Sequence, residues 1–157
     1  MQSLPRTRLL TTSGLCAIAS LTAPQLPSGS EQPKQMEVAG TIHFDGTGTV
    51  YVDLVTRDDF DASTPVEPFL AVLEPGPEEL ASKRVSFAFE GVSPGTYAVR
   101  AFLDQNENGV LDSYLLGPPK EPWGLYRPNR PRMMRPRFED SAFELADDET
   151  EIQITLR

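Results

Sequence analysis

The chain is poor in the residues that most catalytic and metal centres are built from. Its 157 residues include one cysteine, Cys16, and one histidine, His43. A single cysteine excludes an intramolecular disulfide, so the core must hold without one. A single histidine removes the usual zinc clusters and the Ser-His or Cys-His nucleophile pairs. Basic residues are also in deficit, 14 Lys and Arg against 23 Asp and Glu, for a net charge of -9. Such a chain lacks the basic surface that general nucleic-acid binding requires. Long helix-forming stretches are missing too, whereas 15 prolines and 11 glycines punctuate the sequence. Short strands joined by turns are the expected consequence, and the class is all-β.

Arg6 and Arg8 precede a mildly apolar run from Leu9 to Ala23, which a polar, proline-bearing stretch follows. This is the layout of a secretory signal, with Ala17-Ile18-Ala19 as a small-x-small cleavage site. The run is too short and polar for a stable transmembrane helix. Residues 1–35 are read as a leader, either a signal peptide or a disordered tail, and residues 36–157 as one domain. Secretion or a periplasmic location follows from the first of these readings.

From Met36 onward apolar residues alternate with polar ones, as they do in a strand with one buried face. Val38, Gly40, Ile42 and Phe44 lie on one side, and His43 falls on the polar side. The turn Asp45-Gly46-Thr47-Gly48 leads into a second strand over 49–56, so the pair is expected to form a β-hairpin. Asp58, Asp59 and Asp61 read as a solvated loop, and residues 78–82 as one helical turn. Further strands are predicted over 69–73, 84–89, 96–103, 138–145 and 149–156. Together they make a single seven-stranded β-sandwich, prealbumin- or immunoglobulin-like, with one long proline- and arginine-rich loop between residues 113 and 137.

The strand over 96–103 runs directly into Asp104-Gln105-Asn106-Glu107-Asn108-Gly109-Val110-Leu111-Asp112. Short oxygen-bearing side chains at alternate positions around a glycine are how a chain wraps a hard cation. Asp104, Asn106 and Asn108 match positions one, three and five of a calcium loop, Gly109 the sixth, and Val110 would offer its carbonyl at the seventh. Asp112 stands at the ninth. The twelfth position is Leu115, which cannot coordinate through its side chain, so Glu139 or Asp140 would have to close the shell. The competing reading is a hydrogen-bonded turn, since Asn and Asp side chains mimic backbone turns and Asn108-Gly109 is a strong turn dipeptide.

A second candidate is the cationic cluster of Lys120, Arg127, Arg130, Arg132, Arg135 and Arg137, suited to a phosphate, a sulfated sugar or an acidic lipid headgroup. Its alternative is pairing with the protein's own acidic face. Trp123 and Tyr126 could stack a sugar, or pin the loop to the core.

The block from Phe89-Glu90-Gly91-Val92-Ser93-Pro94-Gly95 through Arg100-Ala101-Phe102-Leu103-Asp104 to Asn108-Gly109 resembles the bacterial family called domain of unknown function 2141. Leu111-Asp112, Leu116 to Gly124 and Arg137 to Ala142-Phe143 continue the likeness. The resemblance implies an exported β-sandwich of uncertain function. Leu103 departs from the polar residue that the family usually carries there, and the arginines before Phe138 are unusually dense. A local likeness also links residues 95–112 to the calcium-binding prealbumin-like B-repeats of surface adhesins. The expectation is an exported, non-catalytic module stabilised by calcium, the alternative being recognition of an anionic or carbohydrate envelope ligand.

Overall fold

Alternating burial builds eight strands among the described residues, arranged in two sheets. The computed structural model describes residues 34–115, 117–127, 136–146 and 150–157. The elements are β1 (Met36–His43), β2 (Thr49–Val55), β3 (Leu70–Leu73), α1 (Pro77–Ser82), β4 (Arg84–Val92) and β5 (Gly95–Asp104). They continue with β6 (Trp123–Leu125), a 3₁₀ turn at Phe138–Asp140, β7 (Phe143–Leu145) and β8 (Thr150–Thr155). The leader expected over residues 1–35, including Cys16, lies almost wholly outside the described residues. Among those described, no helix is long and apolar enough to cross a membrane.

The first sheet has the order β4-β1-β8, with β1 antiparallel to β4 and parallel to β8. The second has the order β3-β2-β5-β6, and β7 pairs with the same central strand, β5. β6 takes residues 100–102 of β5 and β7 takes residues 95–97, so the two short strands follow one another along β5.

Two expectations are corrected here. The predicted hairpin does not form, because β1 and β2 belong to different sheets. Each strand has one apolar face, and both faces point into the same core, so the strands oppose one another instead of pairing edge to edge. The 45–48 turn is therefore a corner. Gly46 and Gly48 have φ of 127° and 146°, and a Cβ on Gly48 would lie 2.2 Å from the Asp104 carbonyl oxygen. Only glycine fits that approach. The strand count is also eight among the described residues, not seven. The expected strand over 138–145 begins as the 3₁₀ turn and pairs only over its last three residues, while Trp123–Leu125 adds a strand inside the long loop.

Residues from both sheets share the main core. Val38 and Ile42 of β1, Ile152 and Ile154 of β8, and Val50 and Leu103 of the second sheet are 0–1% exposed. Tight backbone approach holds β1 to β8, since a Cβ on Gly40 would fall 2.2 Å from the Ile152 carbonyl oxygen. On β5, Val99, Ala101 and Leu103 face this core. Period-2 alternation turns Ala98, Arg100, Phe102 and Asp104 to the opposite face of the sheet. That outer face is covered as well. Val55, Phe60, Ala98, Leu125 and Phe138 form a second, smaller cluster there, and Phe60 meets Phe138 edge-on at 5.7 Å.

Candidate functional site

The strand register brings the outer-face residues into rows. Tyr51 of β2 lies opposite Phe102 of β5, and Phe102 opposite Trp123 of β6. Tyr51 and Phe102 stack with ring centroids 5.0 Å apart and planes within 7°. One step along the sheet, Asp53 lies opposite Arg100 and Arg100 opposite Leu125.

Arg100 and Asp53 form the electrostatic anchor of this face. Asp53 is 5% exposed, and Arg100 grips its carboxylate with Nε at 3.0 Å and with Nη2. The remaining donor, Nη1, reaches the carbonyl oxygens of Phe60 and Ala62 at 2.8 Å each. Val66 N–H also donates to Asp53 Oδ2, at 3.1 Å. A bidentate Arg-carboxylate pair is a strong, oriented contact. Here it ties the 57–66 segment down over the sheet.

Between that segment and the 111–119 loop opens a cleft of about 660 Å³. Its base is formed by Phe102, Trp123, Leu125 and the Arg100–Asp53 pair. Phe60 and residues 61–65 make one wall, and Leu111, Ser113, Pro118 and Pro119 make the other, with Pro136 at the rim. The volume falls within the range of small-molecule sites, which are concave and mostly apolar. Among the described residues, the lining includes neither a histidine nor a lysine.

The second wall is carried by the acidic turn. Asp104 closes β5 with 0% exposure, and its carboxylate accepts four backbone N–H groups. Oδ1 takes those of Asn106 (3.2 Å), Glu107 (2.7 Å) and Asn108 (3.4 Å), and Oδ2 takes that of Gly109 (2.7 Å). Asn106 and Asn108 accept from the N–H groups two residues on, at 3.2 and 2.8 Å. Their amide groups donate to Asp112 Oδ2, at 2.6 and 3.0 Å. Left-handed backbone at Glu107 (φ 62°) and Gly109 (φ 72°) curls the chain round the carboxylate. Asp104, Asn106, Asn108, Val110 and Asp112 are thus brought together, in a turn held by its own hydrogen bonds.

Glu139 and Asp140 are placed elsewhere. They lie on the 3₁₀ turn just before β7, and β7 pairs with the Gly95–Tyr97 end of β5. Asp104 is at the other end of that strand, roughly 23 Å beyond Tyr97 at ~3.3 Å per residue. Glu139 pairs with Arg57. Its own backbone N–H, then the Arg57 guanidinium, hold its carboxyl below the usual carboxylate value of 4.5.

The carboxylate that does reach the turn is Glu121, 6% exposed, which the sequence reading missed. Its Oε1 accepts from Gln105 N–H at 3.0 Å and its Oε2 from Asp112 N–H at 3.1 Å, clasping both ends of the loop. A lone Glu between prolines, inside the segment that carries the family likeness, was the only signal. Among the described residues, no group of three or more His, Cys, Asp or Glu side chains is gathered so as to hold a metal ion.

Of the cationic cluster, Lys120 lies 5.6 Å over the Tyr114 ring and Arg127 5.0 Å over the Tyr126 ring. Arg137 precedes the 3₁₀ turn and contributes to the lowered pKa of Glu139. Arg130, Arg132 and Arg135 lie outside the described residues. The two candidate stacking residues separate. Trp123 lines the cleft, whereas Tyr126 packs edge-on against Phe143 at 5.3 Å and donates its N–H to Val99 O.

Fold and site together define a two-sheet β protein with a self-bonded acidic turn at one sheet end and an open, largely apolar cleft on an outer face. The chain belongs to the family described as "Uncharacterized protein conserved in bacteria (DUF2141)", whose model matches residues 43–153. No curated protein and no solved structure matches it.

Proposed function

We propose that this chain is an exported, non-catalytic binding module of the β-sandwich type, whose ligand seats in the cleft over β5 and β6. The sandwich reading is supported by the single core shared between two sheets, and export by the layout of residues 6–23. The observation that carries the binding function is the cleft itself, about 660 Å³ with Trp123 in its lining. Buried ionic contacts and prolines brace both walls before any ligand arrives, which reduces the ordering cost of binding.

Trp123 is the only tryptophan in the chain, so its emission reports on the cleft alone. Titration with Nile red, an uncharged apolar dye, should shift Trp123 emission and raise dye fluorescence. Ala62→Phe, an exposed wall substitution, should abolish both changes without altering the unfolding midpoint. Equal dye binding by Ala62→Phe would overturn the cleft as the site.

A structural calcium ion in the 104–112 turn is the second reading, favoured by the gathering of Asp104, Asn106, Asn108, Val110 and Asp112 in one turn whose Gln105 and Asp112 N–H groups Glu121 clasps. Calcium would bind through side-chain oxygens of Asp104, Asn106, Asn108 and Asp112 and the Val110 carbonyl, with an affinity of ~10⁻⁴–10⁻³ M, the range of extracellular modules. Its test is the thermal unfolding midpoint in calcium against chelator. An unchanged midpoint at saturating calcium would exclude it, because a ligand of the native state must raise stability.

A further inference from the structure

The chemistry of the cleft selects among ligands. A sugar needs many outward-facing polar side chains, yet the two strongest polar groups at the base, Asp53 and Arg100, are used up on each other and on the Phe60 and Ala62 carbonyls. What remains toward the opening is mostly ring, methyl and methylene surface from Phe102, Trp123, Leu125, Leu111 and the wall prolines.

A second, independent observation lies on the wall. The 113–119 loop is closed by a bridge between Ser113 and Pro119 and by Tyr114 N–H to Pro118 O, and its tip projects two large apolar side chains into solvent. Tyr114 is 60% exposed and Leu115 98%. The loop that gives the cleft its wall residues Ser113, Pro118 and Pro119 thus also carries an exposed apolar tip. Exposed apolar surface on the loop that walls a cleft is a mark of a binding site.

Two cations follow lining residues in the chain. Lys120 follows the lining residue Pro119, and its ammonium stands over the Tyr114 ring without an ion pair among the described residues. Arg137, exposed, follows the lining residue Pro136.

We propose that the cleft binds a single-chain amphiphile with an anionic head, its hydrocarbon body on Phe102 and Trp123 and its head at the Lys120 edge. This rests on the cleft being the binding site, and it names the ligand class. Such a molecule satisfies each part of the site: apolar surface covers apolar surface, the anion meets the ammonium, and the open mouth keeps the head in water. The exposed Tyr114–Leu115 tip is where the ligand's apolar body passes between cleft and surroundings.

The test uses the full domain and dodecanoate below its micelle concentration, read by Trp123 emission and by displacement of Nile red. Dodecanol and butanoate serve as the headless and tailless controls. Dodecanoate should bind at least about tenfold more tightly than butanoate, the change expected if even two of its extra methylenes are buried against the apolar lining. Lys120→Glu should weaken dodecanoate about three- to tenfold and leave dodecanol unchanged. In a second arm, vesicles of phosphatidylcholine with phosphatidylglycerol replace the free acid. Sedimentation with the vesicles that Leu115→Asp abolishes assigns the source as a membrane, and binding of the free acid alone assigns it as a soluble amphiphile.

If Nile red enters the cleft but dodecanoate neither displaces it nor shifts Trp123 emission, the ligand class is wrong while the site stands. If an oligosaccharide shifts the emission and dodecanoate does not, the cleft is a sugar site and this proposal falls. If neither dye nor acid registers, both readings fail together.

Discussion

Replacing Asp104 tests whether one buried carboxylate organises the whole 104–112 turn. In Asp104→Ala four backbone N–H groups lose a bond to the carboxylate, two of them at 2.7 Å, and only that of Asn108 keeps another acceptor, Asn106 Oδ1. Hydrogen bonds to a charged group contribute about 1.5–3 kcal/mol each. Residues 106–108 are exposed, so water replaces part of that, and a net loss of roughly 2–4 kcal/mol is expected. In Asp104→Asn the Oδ1 contacts persist, but an amide NH₂ replaces the oxygen facing Gly109 N–H, for a loss of about 1–2 kcal/mol. The folded unit spans Gln32–Arg157. For a unit of this size about 3–5 °C of unfolding midpoint corresponds to each kcal/mol. The midpoint should therefore fall by about 10 °C in Asp104→Ala and about 5 °C in Asp104→Asn, each measured calorimetrically in chelator. Repeating both with calcium at tenfold its dissociation constant separates turn from ion. A bound ion adds about 1.4 kcal/mol to the native protein and nothing to Asp104→Ala. A midpoint that moves less than about 2 °C in Asp104→Ala would refute the hydrogen-bonding account, because that is the scale of an ordinary surface substitution.

Three other outcomes follow from the packing. Arg100→Met leaves Asp53 buried and unpaired and releases the 57–66 segment, so denaturant unfolding should show a loss of about 3–5 kcal/mol. Asp53→Asn with Arg100→Met should recover part of it, and strict additivity in that cycle would deny the coupling. Gly40→Ala forces a methyl onto the Ile152 carbonyl of β8, and a cost of about 1–3 kcal/mol is expected from overpacking; a neutral result would mean that β8 can shift away. For Glu139, a lowered folded pKa means that its carboxylate, held first by its own backbone N–H and then by Arg57, stabilises the fold above the ordinary carboxylate value of 4.5, and that this is lost as pH falls through the lowered value. The midpoint gap between the native protein and Glu139→Gln should shrink across that acidic interval, and a gap independent of pH would remove both carboxylate contacts from the account.

The reach of local pattern can be followed residue by residue. Alternation in 36–44, 49–56 and 96–103 marked real strands and their apolar faces, because side-chain direction in a strand has period two and needs no partner to be read. The spacing of Asp104, Asn106, Asn108 and Gly109 marked a real turn, because Asx contacts reach only two to five residues along the chain. The hairpin between β1 and β2 failed for the converse reason. A glycine-rich turn is equally compatible with pairing beside a neighbour and with crossing to face it, and only the shared core decides which.

The same division holds at the site. Composition and periodicity by themselves determined an all-β chain, its strand faces, its acidic turn and the scarcity of catalytic side chains, all properties written in adjacent residues. Tertiary structure alone decided that Glu121 and not Glu139 reaches the 104–112 turn, that Arg100 is spent on Asp53 across 47 residues of chain, and that Trp123 lines a cleft while Tyr126 packs inward. Those choices depend on which strands lie side by side and in what register. Register is set by long-range burial of two sheets against one core, which no short window of sequence contains.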